Sequence, residues 1–506
     1  MYKIVVRSTS IVINDYTLGE CEKLERNFLI YNKVTHSYSY KHIHYNNDTR
    51  QLTIPRGVDI PFIESLFNVR AYFEQQCDPY IENEEKILIK YPPKDEKQAQ
   101  ALSFLLGQNK YSYTKSVSQL LVALDTGAGK TYLAIAYIAF MNIKSIVIAS
   151  AVDWLNQWRD RFFEHSNILP NEIYFIKGSN SIESLMKKTP KQLSRYKVYL
   201  STHGTLQSYG TNCGWDKIYN LFVHLGIGIK IFDEAHLNFE NINNIDYNTN
   251  TYKNIYLTAT PGRTEESENK IYKLYFKNVP TLSLFDPDND PHTHYIALRY
   301  YSRMTPLQLS KCMSPRYGFN KMTYCDNVIM TENFDYILRI VMDMILKIPG
   351  QKMMFLATNH AVQFIYDWIY SNYPEYWNSV GIYTSINPNK EQAKKYPLIL
   401  TTSKSAKECL DIANLTCCVQ LAEPNKSPYS NKQRFGRTRG YGTYFIDLID
   451  ETSAVLRKYY LSNFSMYETY ALSVKETKFN DTTLKQVAMN IMKTRMENGI
   501  SPFLKL

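Results

Sequence analysis

The first fifteen residues, MYKIVVRSTSIVIND, alternate apolar and polar positions with the period of two that sends successive side chains to opposite faces of a strand, expected over Lys3–Ile13. Runs of the same kind follow at Ser37–Tyr45 and Gln51–Pro55, and Ile60–Phe73 changes to the spacing of an apolar helix. Residues 1–90 are therefore expected to form a small α+β domain. After it comes KYPPKDEK (Lys90–Lys97), read as a charged, proline-bearing hinge. From there the rhythm changes: short apolar runs at Leu120–Leu124, Ser145–Ser150, Lys197–Ser201, Ile227–Phe232 and Asn254–Leu257 are separated by helical stretches. Strands of this kind, alternating with helices, predict a parallel sheet covered by those helices. PTLSLFDPDNDPH (Pro280–His292) reads as a breaker-rich connection. A second series follows, with strands at Met353–Ala357, Ser379–Tyr383, Leu398–Thr401, Cys417–Leu421 and Thr443–Leu448. Two tandem α/β domains are expected, over 91–285 and 286–450. The remainder, 451–506, loses the strand pattern and reads as helices at Leu456–Ser473 and Thr482–Glu497, with eight Lys/Arg against five Asp/Glu. No internal repeat is visible.

Composition narrows the picture modestly. A chain of 506 residues with 44% hydrophobic content can bury several cores. Its longest apolar run, Tyr132–Ile143, is short of the ~20 residues a membrane-spanning helix needs, and the N-terminus lacks the features of a signal peptide. The expected location is the cytoplasm, that of the host if the protein is virus-encoded, with no membrane association. Eight scattered cysteines without metal-ligand spacing imply reduced thiols. The formal charge of +10 permits a polyanionic partner without requiring one. The 42 tyrosines, beside abundant Asn, Lys and Ile, are read mainly as the signature of AT-rich codons.

The chemistry lies in four short motifs. DTGAGKT (Asp125–Thr131) stands between an apolar strand and an apolar helix and fits a phosphate-binding loop, with Leu124 where the first glycine usually stands. Backbone N–H groups over Thr126, Gly127, Ala128, Gly129 and Lys130 would cradle phosphates at a helix N-terminus. Lys130 would reach the outer phosphate oxygens, and the Thr131 hydroxyl would ligate Mg²⁺. IKIFDEAH (Ile229–His236) ends an apolar strand in two carboxylates, of which Asp233 would hold Mg²⁺ and Glu234 would polarise the attacking water. YLTATPGR (Tyr256–Arg263) puts Thr258 and Thr260 at another strand end, and QRFGRTRG (Gln433–Gly440) supplies Gln433, Arg437 and Arg439 from the second domain. Arginines supplied from a second domain stabilise charge on a transferring phosphoryl group and make hydrolysis depend on domain closure.

DTGAGKT, DEAH, TAT and QxxGR in this order resemble the superfamily 2 helicases, over roughly residues 95–450. The resemblance implies two tandem RecA-like domains, ATP and Mg²⁺ as cofactors, and a nucleic-acid partner. It assigns Gln98 to reading adenine, Asp411 to sensing the phosphates, and His236, Thr258 and Thr260 to coupling hydrolysis to strand movement. Ser150 and Gln157 in IVIASAVDWLNQWRDRF, Thr202 in STHGTL, Thr358 in MMFLATNHAVQFIYDWI and Thr402 in LILTTSKSAKECLDIANL take the positions that touch the nucleic-acid backbone. Two departures stand out: Cys409 replaces a glycine, and Arg439 comes one residue early, with Gly440 after it. Arg437 and Arg439 are nonetheless both expected to act on the γ-phosphate. Within the superfamily the chain further resembles UvsW-type phage recombination helicases, which implies a monomeric DNA helicase acting on single-stranded, forked or branched DNA. An RNA helicase, a double-strand translocase that separates nothing, and an ATP-switched annealing module are the alternatives. The N-terminal domain is expected to choose the substrate, so that a chain starting near Tyr91 keeps DNA-stimulated ATPase.

Overall fold

The computed structural model describes all residues except 1–2, 33–36, 41–42, 47–48, 75–76, 125–126, 238, 260–265, 285–291, 315–317, 410–411, 413, 427, 439 and 499–506. It divides into two compact units, one running to Phe285 and the other from Asp286 onward.

The first unit opens with a five-stranded sheet in the order His44–Asn46, Gln51–Pro55, Ser10–Asn14, Ile4–Val6, Tyr72–Phe73, antiparallel except for the last pair. The strand expected over Lys3–Ile13 is a hairpin, because the chain turns where the N–H of Arg7 donates to the carbonyl of Ser10. The expected helix Ile60–Phe73 stops at Phe67: Asn68 takes φ 50°, a left-handed end that closes the last turn. Ile4, Ile11, Ile13, Leu52, Ile54 and Ile63 form this module's core.

The larger part of the unit is a parallel sheet of β1 (Gln119–Leu124), β2 (Ser145–Ala149), β3 (Ile173–Ile176), β4 (Val198–Thr202), β5 (Ile229–Phe232), β6 (Lys253–Thr258) and β7 (Thr281–Leu284). Their spatial order is β3-β4-β2-β5-β6-β1-β7. Apolar side chains on both faces explain why β1, β2, β4, β5 and β6 are buried throughout. The helices needed below are α1 (Lys130–Met141), α2 (Val152–His165) and α3 (His203–Cys213).

The N-terminal module and this sheet belong to one unit. Gly57 lies so close to the second part that a Cβ there would stand 1.8 Å from the carbonyl oxygen of Leu274. Residues 77–90 form a strap along the edge where the strands begin. The N–H groups of Asp78, Ile81, Asn83 and Lys90 donate to the carbonyls of Asn250, Gly226, Asn142 and His165, and Lys144 and Asn167 donate back to Ile81 and Leu88. Tyr80 stacks on Tyr252 at 5.2 Å, and Ile87 is buried in the sheet's own core. Gly226 and Gly228 admit the strap, since a Cβ at the first would stand 2.5 Å from the Ile81 side chain and at the second 2.9 Å from that of Tyr80.

The second unit repeats the architecture. Its strands are β8 (Thr293–Tyr300), β9 (Gln351–Leu356), β10 (Val380–Tyr383), β11 (Leu398–Thr402), β12 (Leu415–Gln420), β13 (Thr443–Asp450) and β14 (Ser473–Lys478), parallel and ordered β10-β11-β9-β12-β13-β8-β14. This is the order of the first sheet shifted by seven strands. Helices α4 (Asn359–Asn372), α5 (Ser403–Cys409) and α6 (Pro428–Phe435) lie between strands, and α7 (Ala454–Tyr470) and α8 (Asp481–Glu497) form the C-terminal extension. Between α7 and α8 the chain forms an edge strand, β14, paired with β8 and bearing Lys475, Glu476 and Lys478, charges that discourage further pairing at an open edge. Two tandem RecA-like domains, a small N-terminal α+β sheet and C-terminal helices make up the fold. Among the described residues no helix is long and apolar enough to cross a membrane.

Candidate nucleotide site and nucleic-acid edge

The phosphate loop leaves β1 at Leu124 and enters α1 at Lys130. Gly127 and Gly129 take φ of 85° and 88°, which a residue with a Cβ rarely adopts. The turn is backed by the buried Gln98, whose Nε2 donates to the carbonyl of Ala128 at 3.1 Å and would lie 2.0 Å from a Cβ on Gly129. Gln98 Oε1 in turn accepts from the Lys94 N–H, while the Asp95 carboxylate caps the helix at the Gln98 N–H. In this structure Gln98 thus shapes the loop. Lys130 Nζ donates to the Leu124 carbonyl at 3.1 Å and stands 3.8 Å from Glu234 Oε1. Thr131 is half-buried on the first turn of α1, and Thr126 lies outside the described residues.

β5 delivers the two carboxylates to the same place. Asp233 Oδ2 accepts from the indole Nε1 of Trp158 at 2.8 Å, and its Oδ1 accepts from the Glu234 N–H at 3.0 Å. Burial, and then the charge of Glu234, pushes the Asp233 carboxyl up to about 6 against the pull of Trp158 and Lys130. Glu234 takes φ 49°, a left-handed conformation that costs a residue with a Cβ roughly 1 kcal/mol. Its Oε2 accepts from the Ala259 N–H at 3.3 Å and lies 3.3 Å from His236 Nδ1, which is 2.9 Å from the Thr258 hydroxyl. The DEAH and TAT segments are joined by side chains, with Thr260 outside the described residues. Thr131 and Asp233 provide hard oxygen donors of the kind Mg²⁺ takes beside phosphate oxygens and water.

The candidate backbone-contacting residues sit where strands end. In the first unit Ser150 follows β2, Gln157 lies on α2, and Thr202 ends β4 and caps α3 at the Thr205 N–H. In the second, Thr358 follows β9, caps α4 at the Ala361 N–H and donates to Asp326 Oδ1 at 2.5 Å. Thr402 ends β11 and accepts from the Ser405 N–H at 3.2 Å. β2 and β4 are neighbours, as are β9 and β11, so each sheet groups its candidates at the ends of adjacent strands.

In the QRFGRTRG segment, α6 ends at Phe435 and the chain turns through Gly436, with Arg437 Nη2 donating to the Ala406 carbonyl of α5 at 2.8 Å. Gln433 lies in α6, and its side chain, like Arg439 and Asp411, lies outside what is described. Arg434, given no role by the motif, is buried and donates to Gln420 Oε1 at 2.6 Å and to Glu423 Oε1 at 3.0 Å. Glu423 also takes the Lys321 ammonium at 2.9 Å and the Ser403 hydroxyl, so it ties α6 to α5. The only sequence signal for this was a further arginine beside Gln433.

Asp447 on β13 is buried beside this cluster. Burial pushes its carboxyl up to about 7, although Tyr295 and Gln420 donate to it and Arg434 is near. A raised folded value means native stability is fully present below the ordinary value of 3.8 and is lost as pH rises through about 7. Asp447→Asn is expected to melt higher than the parent by a margin that grows between about pH 4 and 7, worth up to ~4 kcal/mol. Thermal melts at both ends of that window check this; an equal margin at both would contradict it.

Residues 92–263 match the family model described as Type III restriction enzyme, res subunit. A Haloarcula marismortui protein named as a Rad25 DNA 3'-5' helicase is 25% identical over 149 residues, which make up 29% of this chain and 21% of that protein. The match thus spans about a fifth of that relative's length. Among solved structures, S. cerevisiae Dbp5 bound to RNA and ADP BeF3 aligns with TM-score 0.50 and 15% identity, covering 79% of this chain and 93% of that one. T4 UvsW aligns over 94% of this chain and 100% of its own at TM-score 0.35 and 14% identity.

Proposed function

We propose that the chain is a superfamily 2 helicase, an ATP- and Mg²⁺-dependent DNA helicase or translocase that unwinds or branch-migrates DNA junctions. The observation that carries the reading is the meeting of Lys130, Asp233, Glu234, His236 and Thr258 at one end of the first RecA-like sheet. Mg²⁺, when bound with ATP, would neutralise developing phosphate charge. The chain's own groups do the rest. Lys130 would exchange its contacts with Leu124 and Glu234 for phosphate oxygens, and Glu234, held by Ala259, would orient and polarise a water. The Thr258–His236–Glu234 connection gives the chain a path from the acid pair to the TAT segment, so a change at one is felt at the other. Ser150, Gln157, Thr202, Thr358 and Thr402 are the proposed grips on sugar-phosphate, which carry little sequence information and make binding salt-sensitive.

We place action on forked or branched DNA, as a cytoplasmic monomer in a phage-infected cell, within this proposal. An RNA helicase is the second reading, favoured by the likeness to a Dbp5 structure solved with RNA. ATP turnover measured with single-stranded, duplex, forked and RNA ligands, followed by strand-separation assays, decides between them. Stimulation by DNA forks with separation supports the proposal; stimulation by RNA alone overturns it in favour of the second reading, and duplex stimulation without separation indicates a translocase.

Arg437 and Arg439 are proposed as the arginines that act on the γ-phosphate. Arg437→Ala and Arg439→Ala are each expected to lower turnover by orders of magnitude with ATP affinity and DNA binding largely kept. If Arg439→Ala turns over normally at saturating DNA but shows a flatter salt dependence of binding, Arg439 is a DNA contact and Arg437 acts alone.

A further inference from the structure

We propose that Trp158 is a positioning residue that ties the strand-contacting helix α2 to the metal-ligating carboxylate of Asp233, so that nucleic acid held at Ser150 and Gln157 sets the geometry of the Mg²⁺ site. The inference rests on the proposed function and goes beyond it by naming the physical link. Trp158 is 2% exposed and packs on Phe162 within the core of the first sheet, with Leu155 buried one turn earlier. The indole is a donor with a single N–H and no acceptor. It spends that N–H on Asp233 Oδ2 at 2.8 Å. The other carboxylate oxygen is held by the Glu234 N–H, and the Asp233 N–H donates to the Ile148 carbonyl of β2. Asp233 is therefore fixed by its own turn, by β2, and by one side chain from α2.

That side chain is attached to the element that would feel the strand. Ser150 stands in the turn that leads from β2 into α2, and Gln157 immediately precedes Trp158 on the helix. Adjacent residues on a helix point about 100° apart, so one can face a ligand while the next faces the core. A packed helix moves as a body, and the indole would carry a shift of α2 directly to the carboxylate. A buried indole also needs an acceptor for its own sake, which makes simple satisfaction of the N–H the competing account.

The two accounts separate in Trp158→Phe of the full chain, which keeps an aromatic ring and removes the donor. Equilibrium calorimetry of ATP binding at graded Mg²⁺ is expected to show metal affinity weakened roughly 10-fold, the loss typical when a ligand's supporting hydrogen bond is removed. Stimulation of turnover by single-stranded DNA should fall by about the same factor. ATP affinity at saturating Mg²⁺ and DNA affinity should stay near those of the parent. A lowered melting temperature with Mg²⁺ affinity and stimulation unchanged would overturn the proposal and leave Trp158 as core filler. Should the phenylalanine variant fail to fold, benzothienylalanine at position 158 preserves the bicyclic shape without the N–H and is read in the same way. A parent protein that shows no strand-stimulated turnover would instead sink the proposed function, while the Mg²⁺ titration would still test the clasp.

Discussion

Glu234→Gln is expected to slow ATP turnover by at least ~100-fold while ATP and Mg²⁺ still bind, leaving a long-lived complex on DNA. The structure explains why the geometry should survive the change. Glu234 Oε2 accepts the Ala259 N–H, a contact that a glutamine oxygen can keep, and the left-handed turn at this position is enforced by backbone bonds that do not involve the side chain. What disappears is the negative charge that polarises water and faces Lys130 at 3.8 Å. Lys130→Ala is the contrasting variant: it removes the cation that would meet the outer phosphates, so binding and turnover should both weaken. Single-turnover hydrolysis together with equilibrium ATP binding distinguishes the two, and near-normal hydrolysis by Glu234→Gln would remove Glu234 from its assigned role.

The nucleotide site was readable in the chain because its parts are local. A strand, a glycine turn and a helix must be contiguous to cradle phosphate, and an acid pair must end a strand, so DTGAGKT and DEAH carry their geometry within a few residues. Contacts between distant segments left no such trace. Trp158 and Asp233 are 75 positions apart, and only folding brings the indole to the carboxylate. Arg434 looks like one more motif arginine, yet its place on α6 turns it inward to Glu423 and Gln420.

The same distinction runs through the fold. The central strands of both sheets are apolar on both faces and stand out, with ends displaced by one or two residues. Their neighbours β3, β7, β8 and β14 did not. β7 falls inside the Pro280–His292 stretch whose prolines and aspartates suggested a connection. β14 alternates Val with charged residues because it is an edge, and it sits between two helices that dominate the pattern. The tandem pair of α/β domains shows in the sequence, but the strand order they share, 3-4-2-5-6-1-7, does not, because no run of side chains is repeated with it.

A chain beginning at Cys77 is expected to fold and keep DNA-stimulated ATPase while losing preference for branched DNA, whereas a chain beginning at Tyr91 is expected to lose the motor's stability as well. The strap accounts for the difference, and it revises the expectation that a start near Tyr91 would be harmless. Residues 77–90 contribute six backbone hydrogen bonds to the edge of the first sheet, and Ile87 is buried in its core. At about 1 kcal/mol per bond and about 2 kcal/mol for the isoleucine, removal costs on the order of 8 kcal/mol, comparable to the whole stability of a domain. It would also uncover Ile143 and the edge at Gly226 and Gly228, where Ile81 and Tyr80 now lie. The N-terminal module is seated differently, mainly through side chains: the Ser8 N–H donates to Asn250 Oδ1 at 3.3 Å, the Thr9 hydroxyl to the Asp246 carbonyl at 2.8 Å and Asn250 Nδ2 to Glu74 Oε2 at 3.4 Å, an exposed Lys277–Asp59 pair spans 2.7 Å, and Leu274 packs against the module's core beside Gly57. Thermal melts and ATPase assays on both truncations, with forked and linear DNA, test the assignment. A Tyr91 start that melts with the parent would show the strap to be dispensable, and a Cys77 start that loses all ATPase would make the module part of the motor.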